Sequence, residues 1–112
     1  MGFATSHTIS LQGAVGHLIE VQVDVAAGVV ATHLVGRADG AVNEGRDRCR
    51  SAVLNSGFEW PATRRVTILL SPADLPKRGS HFDLAMAIAV IFAADKRLER
   101  LALDDSVFLA EL

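Results

Sequence analysis

The sequence predicts an α+β fold in the order β-β-β-α-β-α-β, built on an antiparallel sheet with one wet face, and three observations carry the prediction. Apolar residues recur at every second position in Ile19-Glu20-Val21-Gln22-Val23-Asp24-Val25, the period of a half-buried strand. After Gly36 the period changes. Val42, Gly45, Cys49, Ala52, Val53 and Ser56 fall on one side of a 3.6-residue helix, with Asn43, Arg46 and Arg50 on the other. Finally, Leu84 to Ala94 is apolar throughout, too short to cross a bilayer and too uniform for a helix with a wet face, which makes it a central helix.

The elements follow in order. Thr8-Ile9-Ser10-Leu11 reads as a first strand, with Gly13 and Gly16 punctuating the connection to the strand over Ile19–Val25. Ala26-Ala27-Gly28 is short enough to return the chain as a hairpin into a strand over Val29–Leu34. Asp39 is the expected N-cap of the first helix and Asn55-Ser56-Gly57 its stop. Gly45 weakens that helix by about 1 kcal/mol relative to alanine, so it is expected to permit close approach to the sheet. Phe58 to Thr63 is a connection and Val66–Leu70 a buried strand. Pro72, Pro76 and Gly79 forbid regular structure up to His81, and this loop is where contact or chemistry would sit. Asp83 is the expected cap of the apolar helix, Asp95, Lys96 and Arg97 close it, and Ser106-Val107-Phe108-Leu109 begins another strand.

A chain of 112 residues, half of them hydrophobic and 21% charged, lies outside the disordered and collagen-like classes. One domain over residues 1–112 is expected, incomplete at its C-terminal end and therefore prone to self-association through uncovered apolar surface. The net charge of −2 gives no global attraction to nucleic acid. Bases nevertheless outnumber acids between Arg37 and Gly79, while the flanks, with Glu99 against Arg100 among their charges, lean acidic. The single cysteine, Cys49, permits no internal disulfide and no cysteine-based metal cluster, and it reads as a small core residue. With no secretory signal at the start and no membrane partner indicated, a cytoplasmic location is expected.

Chemistry is sparse. No Gly-x-x-x-x-Gly-Lys-Ser/Thr segment and no Gly-x-Gly-x-x-Gly segment exists to cradle phosphate, so nucleotide binding falls on no residue of this chain. His7, His17, His33 and His81 lack the i, i+4 spacing that sets two metal ligands on one helical face. Ser71, Ser80 and His81 include the residue types of nucleophilic catalysis, but capping or solvent exposure is the plainer role for neighbours at a helix entry. Arg46 and Arg50 on one helical face, with Lys77 and Arg78 in a later connection, form a candidate contact to DNA or to a neighbouring subunit, with ordinary solvated charge as the alternative.

Three blocks carry a resemblance: Val35-Gly36 with Ala41-Val42-Asn43-Glu44 and Arg46; Pro72-Ala73-Asp74-Leu75-Pro76-Lys77 with Gly79; and Phe82-Asp83-Leu84. In order and spacing they resemble the start of the ComM/YifB family of Mg-chelatase-like AAA+ ATPases, and Phe108-Leu109-Ala110-Glu111-Leu112 is similar to that family's Phe-Leu-Gly-Glu-Leu strand. The resemblance implies a Lon-protease C-terminal-domain-like fold, akin to domain two of ribosomal protein S-five. It implies a following AAA+ module, absent from this chain, that would bind ATP and Mg2+, assemble as a hexameric ring and act on branched DNA during transformation or recombination. The expected partners are that module, neighbouring ring subunits and DNA.

Lon-like proteases place their nucleophilic serine in a Pro-Lys-Asp-Gly-Pro-Ser segment, to which Pro76-Lys77-Arg78-Gly79-Ser80-His81 is similar. His81 occupies the serine's place, so the resemblance implies a chain without peptidase activity, an assembly or regulatory domain rather than an enzyme. Two other readings stay open at this point: part of a magnesium chelatase ATPase subunit, and a free-standing Lon-like interaction module.

Overall fold

A computed structural model describes residues 2–98 and 103–112; Glu99 and Arg100, counted above among the flanking charges, lie outside them. The element order is β1 (Gly2–Gln12), β2 (Val15–Ala26), β3 (Ala31–Val35), α1 (Gly40–Asn55), β4 (Arg65–Ser71), α2 (Asp83–Ala94) and a 3-10 turn over Lys96–Leu98. The sheet order is β1-β2-β4-β3. β1 with β2 and β2 with β4 run antiparallel, while β3 with β4 runs parallel, so the sheet is mixed.

That order corrects the expected hairpin between β2 and β3. β4 inserts between them, with Val23 opposite Ile68 on one side and Leu34 opposite Ile68 on the other. The physical reason is burial. Arg65–Ser71 is buried at every second residue, whereas β3 keeps His33 and Val35 exposed, as suits a short edge strand.

The alternation in β2 holds: Ile19, Val21, Val23 and Val25 are buried, and Glu20 and Asp24 are exposed. With Val66, Ile68 and Leu70 of β4 they make the sheet side of the core. Val42, Cys49 and Val53 of α1 and Ala85, Met86, Ala89, Val90 and Ala93 of α2 close the core from above. Each large aliphatic side chain so buried stabilises the fold by about 1.5–3 kcal/mol. β1 departs from the pattern, turning Ser6, Thr8 and Ser10 into the helix layer. Ser6 donates to the Ala85 carbonyl of α2 at 2.6 Å, which satisfies one hydroxyl in the interior.

Asp39 caps α1 as its sequence position implies, its Oδ1 accepting from the Val42 N–H at 2.9 Å, and the helix ends at Asn55 with Gly57 at φ 84°. Gly45 makes room for α2 rather than for the sheet. A Cβ at Gly45 would stand 2.5 Å from Asp83 Oδ1 and 2.7 Å from the Met86 methyl. The expected final strand is also corrected: residues 106–112 run without strand pairing, and the Phe108 N–H reaches the His7 carbonyl on the free edge of β1 at 2.9 Å.

Gly45→Ala should therefore destabilise the protein although alanine is the better helix former by about 1 kcal/mol. The clash with Asp83 outweighs propensity, and chemical denaturation should show a net loss of about 1–3 kcal/mol, the range for overpacked cores.

Candidate functional site

The loop from Pro72 to His81 leaves β4, passes beneath the β1–β2 hairpin and enters α2. The bridge between Ala38 and Lys77 locks it to the start of α1, with the Lys77 N–H on the Arg37 carbonyl and the Asp39 N–H on the Lys77 carbonyl, both at 3.0 Å. Asp39 adds a further tie, its Oδ2 accepting from the Gly79 N–H at 3.3 Å. Gly79 has φ 97°, a conformation other residues adopt only with strain, and that turn delivers Ser80 and His81 to the mouth of α2.

At that mouth lies a polar cluster centred on Asp83. Asp83 is fully buried, and its carboxylate receives two hydrogen bonds from Arg48, Nε to Oδ2 at 2.6 Å and the terminal nitrogen to Oδ1 at 3.1 Å. This forked pairing raises the Arg48 guanidinium further above its ordinary value, the Asp83 hydrogen bond being the largest cause. The same guanidinium donates to the Ala41 carbonyl at 2.7 Å, and the Leu112 N–H donates to Asp83 Oδ2 at 3.1 Å. Asp83 does not cap α2. Phe82 takes that place without a side-chain bond, because the Asp83 carboxylate is turned toward α1.

Ser80, His81 and Lys77 are each engaged. The Ser80 hydroxyl donates to Glu111 at 2.5 Å, and His81 Nε2 faces the Ile9 carbonyl at 2.7 Å, in a contact that makes this ring nitrogen a donor. The Lys77 side chain has no solvent exposure, and its ammonium donates to the Pro72 carbonyl. Burial lowers its basicity, with Asp74 opposing that shift and Arg37 adding to it. No imidazole stands within hydrogen-bond reach of a serine hydroxyl among the described residues.

The four cationic residues singled out by sequence separate into two kinds. Arg46, Arg50 and Arg78 are exposed, whereas Lys77 faces inward. Arg46 and Arg50 sit four residues apart on one flank of α1, and Arg46 reaches across to the Thr32 carbonyl of β3 at 3.3 Å. Arg78 is carried by the loop, next to the Ala38–Lys77 bridge. Of the remaining motif residues, Pro72, Ala73 and Asp74 are exposed and Leu75 packs against the core. The Asp74 carbonyl accepts from Arg37 at 2.8 Å, the Pro76 carbonyl accepts from Ser10 and Gln12, and Leu84 donates its N–H to Ala110. Arg48 escaped the sequence reading because it lies beside Cys49 on a helix dense in arginine; its spacing from Gly45, three residues along the same face, was the available signal.

An open cleft of about 760 Å3 lies at the other end of α2, lined by Trp60, Arg64, Ile91 and Arg97 among others, and no motif residue borders it. Among the described residues no group of three His, Cys, Asp or Glu side chains could hold a metal ion, and no helix is long and apolar enough to cross a membrane.

These features define a two-layer α+β module whose motif residues serve chiefly to join α1, α2, the 72–81 loop and the C-terminal segment. The family model described as subunit ChlI of Mg-chelatase matches residues 21–112. Over the whole chain, identity is 42% to an uncharacterized protein of Mycobacterium tuberculosis, 41% to the uncharacterized protein YifB of Escherichia coli and 38% to the competence protein ComM of Haemophilus influenzae. The chain spans 22% of the length of each of these relatives. It belongs to the Mg-chelatase ChlI-like family and corresponds to the N-terminal domain of its ComM/YifB members.

Two outcomes test the cluster. Arg48→Met leaves the Asp83 carboxylate buried and without its ionic partner, and should cost about 3 kcal/mol in urea unfolding. Glu44→Ala, which removes only an exposed partner 3.7 Å from Arg48, should stay within about 0.5 kcal/mol.

Burial, reinforced by the Asp83 carboxylate, pushes the Cys49 thiol from 9.0 up to about 12. Above pH 9 the unfolded thiol ionises while the folded one does not, so wild-type stability should fall relative to Cys49→Ala between pH 9 and 12. The expected slope is up to about 1.4 kcal/mol per pH unit. Parallel unfolding midpoints of the two proteins measure it; coincident pH profiles would contradict the burial effect.

Proposed function

We propose that the chain is a non-catalytic assembly or regulatory domain of a ComM/YifB-type AAA+ ATPase that acts on DNA, folded like the Lon-protease C-terminal domain. The observation that carries the reading is the engagement of the loop's reactive side chains: the Ser80 hydroxyl is held by Glu111, His81 by the Ile9 carbonyl and Lys77 by the Pro72 carbonyl. Catalysis needs a nucleophile and base free to exchange protons with substrate. These groups instead fix the orientation of α2 and the C-terminal segment.

Similarity to the competence protein ComM of Haemophilus influenzae supports a role on DNA, and membership of the Mg-chelatase ChlI-like family supports an ATPase related to magnesium chelatase. ATP and Mg2+ would then bind outside this chain. Arg46, Arg50 and Arg78 are the exposed cations that would meet a phosphate backbone or a neighbouring ring subunit, and Lys77 is excluded from that surface by its burial. In the full-length protein, replacing these three arginines by alanine should weaken DNA binding at low salt. The salt slope should flatten by about 0.9 for each phosphate that is no longer neutralised. Unchanged affinity and slope would remove DNA from this surface and leave the subunit-contact role.

A further inference from the structure

We draw no further inference here: the strongest candidate, the open cleft between the 57–64 loop and the C-terminal end of α2, mixes the cations Arg64, Lys96 and Arg97 with the acids Glu59 and Asp95 beside an exposed Phe58, so that nothing in the structure selects what would occupy it.

Discussion

The forked pair between Arg48 and Asp83 is the constraint on which the helix layer depends. A fully buried carboxylate is tolerated only when its charge and lone pairs are met, and here Arg48 and the Leu112 N–H meet them from two directions. To bring the guanidinium there, α1 must approach α2 at Gly45, where no side chain larger than hydrogen fits. Cys49 then lies one turn further along, its thiol on the Asp83 carbonyl at 3.1 Å. Three residues of α1, at 45, 48 and 49, are thus fixed by one residue of α2. An apolar pair could have filled the volume, but only a charge pair also recruits the backbone of the C-terminal segment.

The same economy extends through the loop. Asp39 caps α1 with one carboxylate oxygen and holds Gly79 with the other, so that the start of the first helix and the approach to the second are set by a single side chain. Lys77 withdraws its ammonium onto the Pro72 carbonyl and thereby draws the loop back on itself. Burying that amine disfavours its charged form, and such a cost is retained where the closed loop shape matters more than local stability.

Local pattern made much of this legible. The alternation of β2, the cap at Asp39, the stop at Gly57 and the buried α2 follow from periods and capping chemistry that act within a few residues. What could not be read locally was pairing over distance. Nothing near Ala26-Ala27-Gly28 states that a strand forty residues on will insert beside β2; that is settled by which strand buries more apolar surface. The motif residues Pro72 to Leu84 stood out, yet Arg48, which gives Asp83 its place, did not, because a salt-bridge partner 35 residues away leaves no periodic trace. Burial likewise divided four cations that sequence alone treats as equivalent, turning Lys77 inward while Arg46, Arg50 and Arg78 stay at the surface.

The placement of the polar cluster has a consequence for how displacement at one end of the module reaches the other. The segment after Ser106 is held without a strand ladder, by the Phe108 N–H on β1, the Ala110 N–H on His81, the Leu84 N–H on Ala110 and the Leu112 N–H on Asp83. Every one of these bonds ends on β1 or on the mouth of α2, the elements that Arg48, Ser80 and His81 also engage. A pull on that segment therefore acts first on the Asp83 carboxylate and, through its forked partner, on α1. Since Arg46 and Arg50 ride on α1 while Asp83 anchors the opposite side of the helix, displacement at the C-terminal segment and displacement at the exposed basic flank share one rigid element. A ligand bound at that flank would be coupled to the C-terminal segment only to the extent that it favours one position of α1 over another.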